Sequence, residues 1–215
     1  MGLIRIVENK DWVVGVLLVS VLVLIVVLQY LQRERGLRGF FTAPFSDSGN
    51  IFPTWILISI VYVLLLSTLV SSYVPMVPLE IEQLSLLGYS LNRFGYTLSI
   101  FSLFYFVRFF LTFFFYSSVG KDRKWGRLYF VTSKFYMALC FLLIGAILFY
   151  YYFPVNRLEF LQLALLVAAG LFLFKILFYA FNPNYILPKE WYYKILYICA
   201  LQFIPILALW KLLFL

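Results

Sequence analysis

Four basic side chains lie inside long apolar runs of the sequence, where a charge needs an explanation. Arg108 stands among aromatic residues in FYFVRFFLTFFFY, and Lys134, Lys175 and Lys194 occupy similar settings in later runs. A charged group at membrane depth needs a partner or water, so such residues are candidates for a functional site. Guanidinium and ammonium groups bind phosphate well, which makes recognition of an anionic group the chemistry that these four residues suit.

The composition indicates a membrane protein and excludes several kinds of catalytic site. The chain has 215 residues, of which 65% are hydrophobic and 12% charged, whereas soluble proteins are about 45–50% apolar and about 25% charged. It contains no histidine, which excludes a Ser-His-Asp triad, a histidine-ligated haem and a His-containing zinc site. We predict no catalytic residues, no metal and no cofactor. Cys140 and Cys199 fall in apolar runs, so we expect no disulfide.

Apolar runs of about twenty residues predict an all-α integral membrane protein, a single domain with a bundle of about six transmembrane helices. Pro75 and Pro78 interrupt the chain after the second run, and Glu80 and Glu82 follow them. We expect this connection, residues 74–93, to be a surface or re-entrant segment with a short helix over residues 79–91. The expected spans are residues 12–31, 54–73, 94–117, 128–153, 158–181 and 191–214.

Basic residues on alternate connections predict the orientation of the bundle. One side carries eight bases and the other five, and the richer side is expected to face the cytoplasm, which places both termini in the periplasm. The bases are scattered over short loops and helix ends, so nucleic-acid binding is not expected. Contact with anionic lipids of the cytoplasmic leaflet is expected instead. The eight are Arg33, Arg35, Arg38, Lys121, Arg123, Lys124, Arg127 and Lys189; the five are Arg5, Lys10, Arg93, Arg157 and Lys211.

Helical spacing predicts which way the four intramembrane bases face, because residues at i, i+4, i+7 and i+11 share one side of a helix. Arg108 lies on the most polar side of its helix. Two of the lysines lie on sides that also carry small residues, which mark helix contacts in membranes. All four should lie in the cytoplasmic half of the membrane. The neighbours are Thr97, Tyr105 and Thr112 for Arg108, Ala138 and Gly145 for Lys134, and Ala164 and Ala168 for Lys175.

The sequence leaves the partners of these bases open, since no Asp or Glu occurs in the middle of a predicted span. Backbone carbonyls, end carboxylates such as Asp122 and Glu190, lipid phosphates or another protein could supply the counter-charge. Three interpretations remain: lysines that snorkel to the interface with internal hydrogen bonds, a basic pocket for a phosphate head group, and a docking surface for an acidic helix.

Several diffuse features carry a resemblance to a known family. They are RIVENKDW before the first span, the basic connection after that span, and FVTSKFY at residues 130–136. The chain resembles a family of small polytopic inner-membrane proteins from Bacteroidota that is defined by a domain of unknown function. The resemblance implies a place in the cytoplasmic membrane of a Gram-negative bacterium and brings no functional residues with it.

Two functional hypotheses follow. The first is a non-catalytic subunit of a larger envelope complex, in protein export or envelope assembly, whose partners are other integral membrane proteins. The alternative is a carrier, flippase or transferase that binds a lipid phosphate or polyprenyl phosphate through Arg108, Lys134, Lys175 and Lys194. An ion-coupled transporter ranks below both, because the middle of the predicted spans offers no titratable carboxylate or histidine.

Overall fold

Six long apolar helices form the structure, each of them long and apolar enough to cross a membrane. The computed structural model describes residues 11–31, 36–45, 50–74, 85–86, 89–90, 92–120, 122–181 and 190–214. The chain is therefore a multi-pass membrane protein. The candidate spans are Asp11–Leu31, Ile51–Val70, Arg93–Ser118, Trp125–Tyr152, Arg157–Tyr179 and Trp191–Leu213.

The secondary structure is helical apart from one small antiparallel ladder among the described residues. Two of the helices contain a π-helical turn: Val27–Leu31 ends the first span and Cys199–Phe203 interrupts the last. In chain order the elements are α1 Asp11–Val26, α2 Leu37–Thr42, α3 Ile51–Val70, β1 Ser85–Leu86, β2 Tyr89–Ser90, α4 Arg93–Ser118, α5 Asp122–Tyr152, α6 Arg157–Phe181, α7 Trp191–Ile198 and α8 Ile204–Phe214.

All six predicted spans are present, and the second is shifted by three residues at both ends. It begins at Ile51 and ends at Val70, whereas the sequence predicts residues 54–73. Pro53 is expected at the start of this span, and it lies in the first turn of the helix. Proline is tolerated there because the first amide groups of a helix have no partner within the helix.

Two connections between the spans contain secondary structure that the sequence analysis does not predict. The linker after α1 contains α2, which the sequence analysis does not predict, and its Phe40 is buried. In the connection of residues 74–93, the predicted helix over 79–91 is wrong at the described residues, which pair as β1 and β2. Glu80 and Glu82 lie outside the described residues.

The main apolar core lies between α3 and α5, and α1 packs against it. Ile58 and Leu65 of α3 are fully buried beside Met137 and Ile147 of α5. Val13 of α1 closes the same cluster. Helices α3 and α5 hold the largest share of the buried residues, so this pair forms the centre of the described core.

Helix α4 is joined to the core helices and to the C-terminal span by hydrogen bonds near its beginning. Asn92 caps it, since its side-chain oxygen accepts a 2.8 Å hydrogen bond from the Gly95 amide. The Tyr96 hydroxyl donates to the carbonyl of Leu212 at 2.9 Å. The Thr97 hydroxyl lies 3.5 Å from the carbonyl of Ser67 in α3. These contacts fix the rotation of α4 about its axis.

A tight turn joins α4 to α5 and returns the chain into the membrane. Gly120 has a φ of 66°, a left-handed conformation that favours glycine because it has no Cβ. Tyr116 at the end of α4 packs with Leu128 of α5, and with Tyr179 and Tyr197 from the last two spans. This second cluster brings α4, α5, α6 and α7 together at one end of the bundle.

Candidate functional site: a buried cationic cavity

Arg108 lies on the polar side of α4, and that side faces the protein. Thr97 and Thr112 are buried and Tyr105 is partly buried. The stripe predicted from helical spacing is therefore confirmed. Thr112 also donates a 2.8 Å hydrogen bond to the Arg108 carbonyl, which satisfies its hydroxyl within the helix.

The guanidinium of Arg108 donates a 2.7 Å hydrogen bond to the side-chain oxygen of Gln202. Gln202 is only 2% exposed and belongs to the π-helical turn Cys199–Phe203. Pro205 follows this turn and has no amide hydrogen to continue the regular helical bonding pattern. Leu201 and Gln202 are both buried, and π-helical turns of this kind are frequent at functional sites.

Lys175 projects from α6 into aromatic surroundings and is only 7% exposed. Its ammonium nitrogen lies 5.6 Å from the ring centre of Phe135, 5.3 Å from that of Tyr136 and 5.7 Å from that of Tyr179. Attraction between a cation and an aromatic face contributes about 2 kcal/mol or more when the pair is desolvated. Within the described part of the chain, these rings surround the ammonium group and no carboxylate neutralises it.

Arg108 and Lys175 line one small cavity of about 30 Å³ between helices of the bundle. Its wall is made of aromatic rings and hydroxyl groups from α3, α4, α5, α6 and α7, and no carboxylate occurs among the lining residues. The other lining residues are Trp55, Tyr105, Phe109, Thr112, Leu128, Tyr129, Thr132, Tyr136, Tyr179 and Tyr197. Two cations thus meet in an apolar region without an acid beside them.

Tyrosine and threonine side chains hold the wall of the cavity together. The Thr132 and Tyr179 hydroxyl oxygens are 2.9 Å apart and share a hydrogen bond between α5 and α6. The rings of Tyr62 and Tyr136 stack at 4.8 Å, and Tyr105 meets Tyr136 edge to face at 6.0 Å. Because aromatic rings pack rigidly, this wall keeps the two cations in position.

Lys134 lies in a different place, at a groove of about 650 Å³ on the outside of the bundle. Its ammonium group donates hydrogen bonds of 2.8 Å and 2.7 Å to the carbonyls of Phe41 and Ala43, at the end of α2. Backbone carbonyls were among the partners expected for these bases, and for Lys134 this is confirmed. The expected contact side is wrong, because Ala138 and Gly145 are exposed. The length of the lysine side chain lets it reach α2 without close packing of that side.

Lys194 is partly buried and lies 5.5 Å from the ring centre of Trp191, its neighbour on α7. It lines neither the cavity nor the groove. For Lys175, the expected contact side is confirmed at Ala164, which packs on the core, whereas Ala168 is exposed and makes no such contact within the described part of the chain. The structure therefore unites Arg108 with Lys175 and separates Lys134 and Lys194 from them.

Two residues of this region are absent from the sequence-based candidates. Gln202 is the hydrogen-bond acceptor for Arg108, and Trp55 lines the cavity with a buried indole N–H that has no acceptor. The sequence could have identified Gln202 as a candidate, since it is an uncharged amide between apolar residues, three positions before Pro205. The sequence does not distinguish Trp55 as a candidate, because a tryptophan near the end of a membrane span is common.

The arrangement suits binding of a negative group better than proton transfer or metal chemistry. Among the described residues, no group of His, Cys, Asp or Glu side chains could hold a metal ion.

No curated protein and no solved structure matches the chain. A family model described as a domain of unknown function, DUF4271, matches residues 14–213. The chain belongs to this family.

Proposed function

We propose that this DUF4271 protein is a non-catalytic integral subunit of a larger envelope complex, in protein export or envelope assembly. Its location would be the cytoplasmic membrane of a Gram-negative bacterium of the Bacteroidota, with both termini in the periplasm. The observation that carries the proposal is the surface of α6, which is built for contact with another helix.

Helix α6 is held loosely by its own chain. Of its residues with described side chains, only Phe160, Lys175 and Tyr179 are buried. Near its middle, Ala168, Ala169 and Gly170 are all exposed, and a Cβ added at Gly170 would meet nothing within 4 Å. Small residues let the backbones of two membrane helices approach closely, whereas lipid chains gain nothing from them. We infer that a transmembrane helix of a partner protein packs on this part of α6.

Replacing Gly170 with Leu tests the proposal, because a large side chain would push a partner helix away. The matched control is Gly15→Leu on α1, where an added Cβ also meets nothing within 4 Å. After purification in a mild detergent, the wild type and G15L should retain the same integral membrane partner. The amount of this partner that co-purifies with G170L should be at least about tenfold lower. If the wild type and both variants purify as free chain, the subunit proposal fails.

The groove beside Lys134 supports a second candidate, binding of a lipid phosphate or polyprenyl phosphate. Arg127 and Lys134 lie on its wall with apolar side chains such as Phe174 and Phe178. A volume of about 650 Å³ falls within the range of about 300–1,000 Å³ typical of ligand sites. The two carbonyls that Lys134 contacts use two of its three donors, which leaves one for a phosphate oxygen.

Native mass spectrometry with phosphatidylglycerol would test this candidate. The variant Arg127→Gln with Lys134→Gln should retain fewer lipid molecules than the wild type, because it removes both charges from the groove. Lys211→Gln, which removes one charge at an exposed position of α8 outside the groove, is the control and should retain as many as the wild type. Equal retention by all three proteins would remove the groove as a phosphate site.

A further inference from the structure

Neither proposed function involves the cavity lined by Arg108 and Lys175, which has two basic side chains and no carboxylate among its lining residues. Every one of the nine acidic residues of the chain lies outside the spans or within their first three residues. Arg108 is far from such positions. It lies ten positions before Ser118, the last residue of α4, which is about 15 Å along the helix. The positive charge at the cavity is therefore not balanced by an acid of the six spans.

The cavity also offers more hydrogen-bond donors than its surroundings satisfy. Arg108 has five N–H groups; one donates to Gln202, and the Tyr197 hydroxyl lies within hydrogen-bonding reach of the guanidinium. The Trp55 indole N–H is buried without an acceptor, as is the side-chain amide nitrogen of Gln202. Leaving such buried donors unpaired costs about 1–3 kcal/mol each, so an acceptor in the cavity would stabilise the protein.

We propose that this cavity is a binding site for one small inorganic anion of halide size, with chloride as the test ligand. The anion would accept hydrogen bonds from Arg108 and Trp55 and would offset the repulsion between the Arg108 and Lys175 charges. Burial strengthens this attraction, because screening by water is weak in the membrane interior.

The size of the cavity selects the class of anion. One water molecule needs about 10–15 Å³ of such space, and the cavity has about 30 Å³. A single monatomic anion fits, whereas a phosphate ester with its alkyl group does not. The site is thus distinct from the groove beside Lys134, which is more than twenty times larger by the ratio of 650 to 30 Å³.

Thermal unfolding of the full chain in detergent micelles tests the proposal. The protein is prepared in sodium gluconate, and chloride or bromide then replaces gluconate at constant ionic strength. A halide that binds the folded state should raise Tm by about 3–6 °C when its concentration is about tenfold above Kd. Bromide should also quench tryptophan fluorescence in a saturable way, because Trp55 lines the cavity, and Trp55→Phe should remove the saturable part.

Two variants and one control assign the effect to this cavity. Arg108→Gln and Lys175→Met should each abolish the halide-dependent rise in Tm, whereas Lys211→Met on the exposed side of α8 should keep it. If R108Q does not fold, K175M and the saturable quenching of the wild type still decide the matter. Equal Tm values in chloride, bromide and gluconate with linear quenching would overturn the proposal and leave water in the cavity. A rise in Tm with phosphate alone would overturn the assignment to a halide.

Discussion

Arg108 of α4 and Gln202 of the last span are joined by a 2.7 Å hydrogen bond although 94 positions separate them in the sequence. The bond connects the most polar side of α4 with the π-helical turn before Pro205. Gln202 is almost fully buried, so the guanidinium has an acceptor that lipid and water do not compete for. This pair holds the third and sixth spans in register and places Arg108 at the cavity.

Gln202→Leu should destabilise the protein by about 1.5–3 kcal/mol, because a hydrogen bond to a charged group is lost and the guanidinium keeps its cost of burial. Thermal unfolding in detergent micelles measures the effect. Gln162→Leu, at an exposed position of α6, removes the same amide and should leave Tm unchanged. An equal loss of stability in the two variants would show that the hydrogen bond between Gln202 and Arg108 contributes nothing to the free energy of unfolding.

The hydrogen bond between Thr132 and Tyr179 should give a coupling energy of about 0.6 kcal/mol in a double-mutant cycle, the typical value between membrane helices. Thr132→Val and Tyr179→Phe each remove one hydroxyl of the 2.9 Å pair. Their combined effect on the free energy of unfolding should be smaller than the sum of the single effects. Strict additivity would mean that the two hydroxyls act independently.

Lys134→Met should loosen α2 without unfolding the bundle, because it removes both hydrogen bonds to the carbonyls of Phe41 and Ala43. Amide hydrogen exchange across residues 37–43 should become faster, whereas exchange in α3 and α5 should not change. Lys211→Met is the control for loss of one charge. Unchanged exchange at α2 would contradict a role for Lys134 in holding it.

The proposed orientation predicts the activity of reporter fusions at the two ends of the chain. Alkaline phosphatase is active only after export, so fusions at both termini should be active and a fusion after Gly120 should be inactive. The basic residues beside the connections after the first and third spans are the cause of this expectation. An active fusion after Gly120 with inactive termini would show the reverse orientation.

Much of the site could be predicted from single helices, and the rest could not. Periodicity along α4 correctly identifies the polar side of Arg108, since that side depends only on the 3.6-residue repeat. The same reasoning fails for Lys134, whose partners are carbonyls of α2. A flexible lysine side chain can bind acceptors away from its own helical side, and the sequence gives no position for α2.

The sequence by itself determines that the chain has six helices long and apolar enough to cross a membrane, because a lipid interior accepts only runs of apolar residues in hydrogen-bonded helices. It also determines that four bases are placed within those runs. Only the tertiary structure decides that Arg108 and Lys175 share a cavity while Lys134 and Lys194 do not. The reason is that the distance between residues of different helices depends on how those helices pack, and the pattern of apolar and polar residues along each helix does not specify that packing.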